Sequence, residues 1–257
     1  MMQHLIEIAD RVHKVVGSMP TDCEPGKELC MGADGTPTLM IDRLAEDAII
    51  AYVKEKGLPW DILSEEAGLI DNGGDRTLVI DPIDGTYNAV LGIPLYSVSL
   101  ALGTRTMNDV ELGYVRNLVT GDSYSAKKGE GAFINGRRIR TRKPKKDDIF
   151  SLAYMGRFAA PENYQVALKS KRTRSLGCSS LELSLIAQGK ADAYYLNASK
   201  YEKSIRVVDI AAAVLILREA GGDICDLSGK RLDMPFNLEN RSNILAYGDE
   251  CVKEVLL

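Results

Sequence analysis

Apolar residues recur at helical spacing over residues 2–17, where Leu5, Ile8, Ala9, Val12 and Val16 fall on one stripe. That pattern predicts an amphipathic helix. A polar segment containing Pro and Gly interrupts it through Gly35 and reads as a loop. From Thr38, the positions Ile41, Leu44, Ala45, Ala48, Ile49, Tyr52 and Val53 predict a second long helix, closed by Lys54, Lys56 and Gly57. Basic residues and a glycine suit a helix C-terminus. Two helices are therefore expected before the first strand.

The period then changes. DILS and TLVID are short apolar runs that end on acidic residues and predict strands, and DGTYNAVLG after the second has the turn chemistry to start a helix. Residues 96–139 alternate through SVSLALG, VELGYV, DSYSAKK and GAFINGRRI, with Gly and Asn at the turns, which predicts antiparallel sheet. The charged segment TRKPKKDD, containing Pro144, reads as a surface linker near residue 145. It divides an expected N-terminal α+β domain, 1–145, from a C-terminal α/β domain, 146–257. In the second domain, strands FSLAYMG, RTRSLG, ADAYYL, DICDL and NILAYG alternate with helices near 161–169, in CSSLELSLIAQG and in VDIAAAVLILREAGG. No repeat or membrane-length apolar run is present.

Composition narrows the function. With 257 residues, 45% of them hydrophobic, and a formal charge of -4, the chain can bury a core but has no global basic field for nucleic acid or an acidic membrane. A small anionic substrate then needs local positive charge. Cys23, Cys30, Cys178, Cys225 and Cys251 are scattered and odd in number, as reduced thiols are, and lack the spacing of a zinc site. The N-terminus MMQHLIEIADRVHKVVG lacks the continuous apolar stretch of a secretion signal, so a cytoplasmic location is expected.

The densest chemical signal is DPIDGT, residues 81–86, entered from the apolar run TLVI. A strand end bent by Pro82 can turn Asp81 and Asp84 towards one point, although carboxylates three apart on a regular strand face opposite ways. Like charges so close need cations. Oxygen ligands without His or Cys select a hard ion, Mg2+ or Mn2+, and the Ile83 carbonyl can add another oxygen. Gly85 and Thr86 would open a helix whose first amides can receive a phosphate oxygen. The plain alternatives are an Asx turn with Asp84 as a helix cap, and Asp209 as the cap of a core helix. Glu65 and Glu66 in SEEAG end the neighbouring strand, and one of them can join the metals.

Together, SEE at 64–66, DPIDGT at 81–86, VVDIAAA at 207–213 and EAGG at 219–222 resemble the inositol monophosphatase family in order and spacing. KKGEGAFING and ADAYY extend the likeness over nearly the whole chain, and GADGTPTLMID resembles the archaeal branch, whose members often act on both inositol phosphates and fructose 1,6-bisphosphate. The resemblance implies a layered αβαβα sandwich, a magnesium-dependent phosphatase with two or three ions, and a homodimer. It implies that Glu65, Asp81 and the Ile83 carbonyl hold one Mg2+, that Asp81, Asp84 and Asp209 hold a second, and that Glu65 helps a weaker third. Thr86 and Asp42 would orient the attacking water, and Asp34 would belong to a loop closing over the site. Clustered cations activate water and offset charge on the phosphoryl group, so direct in-line attack without a phosphoenzyme is expected.

Tyr87 and Val208 stand where many relatives carry Thr and Trp, and both are expected to reshape the pocket. Lys200, Lys203, Arg206, Arg172 and Arg174 are candidates to grip a second phosphate, against the alternative of a solvated charged surface. Glu202 falls where relatives bind a substrate hydroxyl, and Asp84, Gly85, Thr86 and the backbone around Gly177, Cys178 and Ser179 would line the pocket. The expected substrate is thus inositol monophosphate or fructose 1,6-bisphosphate. The competing readings are a 3'-phosphoadenosine 5'-phosphate phosphatase, which needs an apolar slot for adenine, and a catalytically silent dimeric binding protein.

Overall fold

The computed structural model describes residues 1–19, 23–33 and 35–257. Helix α1 (Met2–Gly17) is followed by strands β1 (Glu28–Met31) and β2 (Pro37–Leu39), helix α2 (Met40–Glu55), and strands β3 (Trp60–Ser64), β4 (Gly68–Ile70) and β5 (Arg76–Asp84). The short helix α3 (Thr86–Val90) leads to β6 (Ser97–Gly103), β7 (Leu112–Asn117), β8 (Ser123–Lys127), β9 (Gly131–Ile134) and β10 (Arg137–Ile139). After residues 140–149, which form neither helix nor strand, come β11 (Phe150–Ala153), α4 (Glu162–Lys169), β12 (Arg172–Arg174), α5 (Ser179–Ala187) and β13 (Ala193–Leu196). The chain ends with β14 (Ile205–Arg206), α6 (Val207–Glu219), β15 (Asp223–Asp226), β16 (Arg241–Ser242), β17 (Ile244–Tyr247) and α7 (Glu250–Leu256).

Two large sheets organise these elements. One has eight strands in the order β10-β9-β8-β7-β6-β5-β3-β4, and the other five in the order β12-β11-β13-β17-β15. Neighbours in the first are antiparallel except β3 and β5, which run parallel. Alternation along β5 sorts the layers. Leu78 and Ile80 face α1 and α2 with Leu5, Ile8 and Ile49, whereas Val79 faces the opposite side with α5 and α6 residues such as Leu183, Ala212 and Leu217. The five-stranded sheet covers the far side of α5 and α6, and its outer face, including Tyr195 and Leu245, packs with Val166 of α4 and Val252 of α7. Helices and sheets thus stack as αβαβα.

Helix α6 is the centre of that stack. Ten of its residues, from Val207 to Leu217 with only Asp209 left out, are buried, so its sequence lacks the polar stripe of a surface helix. It lies so close to the first sheet that a Cβ on Gly113 of β7 would stand 2.6 Å from the Ala212 carbonyl oxygen. No described helix is long and apolar enough to cross a membrane.

The structure corrects several expectations. Within the segment read as a loop, β1 and β2 pair antiparallel, with Cys30 opposite Thr38, so a hairpin stands between the two N-terminal helices. Every residue of β1 is exposed, and a strand without a buried face leaves no alternation to read. The helix after DPIDG spans five residues only, and the C-terminal helix α7 was not expected. Strand β5 does not stop at Asp81. It continues through Pro82 to Asp84 with a register shift against β6, Asp81 opposite Ser99 and Asp84 opposite Ser97.

Gly113→Ala is expected to destabilise the fold by ~1–3 kcal/mol, because the new methyl meets helix backbone instead of a flexible side chain. An unchanged denaturant midpoint would show that α6 and β7 have room to separate.

Candidate active site

Strand pairing creates the site. In the parallel register of β3 and β5, Ser64 lies opposite Ile80, so Glu65, just past the end of β3, and Asp81, still on β5, come to neighbouring positions. Between Asp81 and Asp84, three steps of β5 face two steps of β6. That extra residue is a β-bulge, which accommodates Pro82 and brings two carboxylates three apart to one side. The N-terminus of α6 supplies Asp209 from the second half of the chain. One carboxylate oxygen each from Glu65, Asp81 and Asp209 lies within 4.8 Å of the others.

Asp81 is 4% exposed, and among the described residues its Oδ1 has no hydrogen-bond partner. Burial raises its pKa well above the ordinary carboxylate value, and the charges of Glu65, Asp84 and Asp209 raise it further. A buried, unpartnered carboxylate oxygen in an all-oxygen cluster fits a hard divalent cation. The residues therefore suit the metal that the sequence implies.

Other acidic residues have protein partners. Asp84 Oδ2 accepts from the amide of Ser180 at 2.6 Å and lies 3.2 Å from Cys178 Sγ, while Oδ1 accepts from the Ser179 amide at 3.2 Å. Asp84 thus tethers the N-terminus of α5 and is outside the three-carboxylate cluster, although its charge still bears on Asp81. It does not cap α3, whose N-cap is Gly85 with a φ of 86°. Arg206 bridges the other two, its Nη2 donating to Glu65 Oε1 at 2.7 Å and to Asp209 Oδ1 at 2.9 Å. Burial lowers the Arg206 pKa, but Asp209 and Glu65 more than offset this and hold the guanidinium charged.

Beside the cluster, Thr86 Oγ1 is 3.0 Å from Asp42 Oδ1 and 2.9 Å from the Ile83 carbonyl oxygen. Asp42 enters from the first turn of α2. Burial, then the charge of Glu66, pushes its pKa up to about 7, against the lowering effect of the Thr86 bond. Thr38 donates to Glu66. Glu46, fully buried on α2, accepts from Ser64 Oγ at 2.5 Å and from the Ala67 amide at 2.8 Å, so it fixes the turn that presents Glu65.

Glu65, Arg206 and Asp209 line a cleft of about 290 Å³, whose wall also includes Glu202, Lys203 and Arg241, whereas the expected pocket residues Asp84, Gly85 and Thr86 are not part of that wall. Gly177 and Ser179 also line it, whereas Cys178 is buried beneath. A larger cavity of about 420 Å³, beside Ile50, Val53 and Ile62, has only Lys54 as a charged lining group and offers no comparable chemistry. Arg172, Arg174 and Lys200 do not line the cleft. Arg172 lies 3.7 Å from Asp148, Arg174 donates to the Thr173 carbonyl, and the Lys200 ammonium stands over Phe158. Tyr87 is exposed and Val208 is buried inside the α6 core, so neither reshapes the wall. Asp34 lies outside the described residues.

Sequence reasoning missed Arg241, Glu46 and Glu182. Glu46 had a legible signal, an acid four residues after Asp42 on the apolar face of α2. Glu182 had one too, an acid inside the apolar run of α5. Arg241 had none, because it is joined to the cleft by the two-residue strand β16.

An αβαβα sandwich with an oxygen-only acidic cluster, drawn from two strands and a helix N-terminus beside a cleft that carries cations, is the arrangement of a metal-dependent sugar phosphatase. The chain belongs to the inositol monophosphatase family, which it matches over residues 7–254, and it is a phosphatase. It is 36% identical to the fructose-1,6-bisphosphatase/inositol-1-monophosphatase of Methanothermobacter thermautotrophicus over 259 residues, covering 95% of this chain and 90% of that one. To the fructose-1,6-bisphosphatase of Pyrococcus furiosus it is 35% identical, with 90% and 87% covered. Its fold superposes on a solved inositol monophosphatase-fructose 1,6 bisphosphatase with a TM-score of 0.86 at 30% identity, covering 99% and 98% of the two chains.

Glu182 accepts from the Leu176 amide at 3.0 Å, and burial, with the charge of Asp84 adding, pushes its pKa up to about 8. Asp42 and Glu182 both bind their protons more tightly folded than unfolded. Their contribution to stability is complete below an unfolded value of about 4 and is lost as pH rises through about 7 and about 8. Chelator-treated protein should therefore melt at a lower temperature at pH 8 than at pH 5, and Glu182→Gln should flatten that slope. Equal slopes in the two proteins would contradict the assignment.

Proposed function

We propose that this phosphatase hydrolyses a phosphomonoester on a small sugar or polyol, with fructose 1,6-bisphosphate and inositol monophosphate as its substrates. The observation that carries the proposal is the meeting of Glu65, Asp81 and Asp209 within 4.8 Å, with Asp81 Oδ1 buried and without a hydrogen-bond partner among the described residues. Glu65, Asp81 and the Ile83 carbonyl would hold one Mg2+. Asp81 and Asp209, with the remaining lone pairs of Asp84, would hold a second, and a third would use Glu65. When bound, such ions lower the pKa of water and offset charge on the phosphoryl oxygens.

The chain's own groups position the attack. Thr86, whose hydroxyl faces Asp42 at 3.0 Å, has lone pairs left to accept a hydrogen bond from the attacking water. Asp42, with a pKa near 7, can receive the proton that Thr86 passes on. No covalent intermediate is required, because none of these groups is a nucleophile with an adjacent His.

The cations on the cleft wall favour a substrate with a second anionic group. Lys203 and Arg241 take the place that Arg172, Arg174 and Lys200 were expected to fill, and Arg241 can grip a distal phosphate in bidentate fashion. Glu202 on the same wall suits a substrate hydroxyl. We further infer a cytoplasmic homodimer, in keeping with the family resemblance.

Phosphate release from either substrate should require Mg2+ and fall by about 100-fold or more in Asp81→Asn, about 2.7 kcal/mol in the transition state. Equal rates in both proteins, or rates indifferent to Mg2+, would remove the acidic cluster from the reaction. Arg241→Gln should lower kcat/KM for fructose 1,6-bisphosphate about tenfold more than for inositol 1-phosphate, about 1.4 kcal/mol of discrimination. Equal losses on the two substrates would remove Arg241 from the distal contact.

A further inference from the structure

Arg206 places a fixed positive charge among the carboxylates of the cluster. It is the N-cap of α6 and is 9% exposed. Its Nη2 is 2.7 Å from Glu65 Oε1 and 2.9 Å from Asp209 Oδ1, and its Nε is 3.4 Å from Asp209 Oδ2. One guanidinium therefore ties the acidic residue that follows β3 to the one that opens α6, and both belong to the group of three that suits a divalent ion. Its charge also reaches Asp81, where it opposes the effect of the acidic neighbours.

We propose that Arg206 is a built-in counter-cation that sets the metal affinity of the site by competing for Glu65 and Asp209. This inference rests on the metal-site reading above. Guanidinium hydrogen bonds and metal coordination draw on the same carboxylate charge, and two cations a few ångströms apart repel strongly in a buried cleft. For a divalent ion to take Glu65 and Asp209, Arg206 must give up part of its hold on them and turn towards the cleft that it already lines. Asp209 keeps an anchor during that exchange, because its Oδ2 also accepts from the Arg206 backbone amide at 2.8 Å. That bond does not depend on the side chain. Arg206 is thus a positioning residue with an opposing charge.

The sign of one measurement separates this role from a merely structural one. If the guanidinium only orients Glu65 and Asp209, its removal scatters the ligands and weakens metal binding. Competition requires the reverse. Mn2+ titration of chelator-treated protein, read from the electron paramagnetic resonance signal of free Mn2+, should show binding about tenfold or more tighter in Arg206→Gln and within about threefold of wild type in Arg206→Lys. Unchanged or weaker binding in Arg206→Gln overturns the proposal.

Should Arg206→Gln fail to fold, side-chain NMR of the wild type distinguishes the same two roles. The Arg206 Nε–H resonance, assigned by its loss in Arg206→Lys, should shift and lose exchange protection when Mg2+ is added. A resonance unmoved by saturating Mg2+ overturns competition. If wild type shows no Mn2+ binding that Asp81→Asn abolishes, and Arg206→Gln shows none either, the metal-site reading falls and this inference with it. Binding in wild type without tightening in Arg206→Gln removes the competition alone.

Discussion

The repulsion between acidic groups held where water cannot screen them is the constraint around which this protein is built. Two charged carboxylates no more than 4.8 Å apart, as in the cluster, repel by roughly 3.5 kcal/mol or more at an effective dielectric of 20. Asp81 meets two such neighbours, and the charge of Asp84 besides, while almost fully buried. A flexible loop would relieve that energy by opening. The groups stay together because each is rooted in an element that cannot move without breaking the core. Glu65 follows β3, Asp81 lies on β5, and Asp209 stands in the first turn of a helix buried on every side.

The same elements explain why the site joins two halves of the chain. Helix α6 packs against the eight-stranded sheet on one side and towards the five-stranded sheet on the other, so its N-terminus has one available position relative to β5. Asp84 adds a second fastening by accepting the amides that open α5, where the helix dipole favours a negative charge. Gly177 and the first residue of α5, Ser179, which form part of the cleft wall, are thereby held to the acidic strand. A change at Asp84 would therefore loosen the packing of α5 on β5 beside the acidic cluster.

Most of the architecture was legible in the sequence because burial imposes a period. Strands β6 to β9 alternate, β3 and β5 are apolar runs, α1 and α2 carry stripes, and α6 is apolar throughout, so each announces its environment. The hairpin of β1 and β2 was not legible, since a four-residue exposed strand leaves no trace in hydrophobic spacing. Within the site, the acidic cluster was legible because acidic residues at strand ends and in DPIDGT conflict with their apolar flanks. The cations were harder. Arg172, Arg174 and Lys200 look no different in sequence from Lys203, Arg206 and Arg241, and only tertiary placement decides which of them face the cleft. Asp84 shows the limit from another direction, for its spacing from Asp81 implies a convergence, yet the hydrogen bonds that engage it come from residues nearly a hundred positions away.

The buried acids are stabilised by three different means, and the differences indicate how the cleft divides its work. Asp84 is satisfied by helix amides, Glu65 and Asp209 by a guanidinium, and Asp42 and Glu182 by retaining protons at pH values where an exposed carboxyl would have lost them. Each solution leaves a different capacity for exchange. Amides cannot leave Asp84 without unwinding α5, so that group is a fixed landmark. A proton leaves Asp42 near neutrality, beside the Thr86 hydroxyl. A guanidinium can rotate away from Glu65 and Asp209 while α6 stays in place. Asp81 Oδ1 alone among these has no partner among the described residues, and a buried carboxylate oxygen costs too much to remain so without purpose. The arrangement therefore reserves for a divalent cation one oxygen that no protein group occupies and two carboxylates whose protein partner is movable.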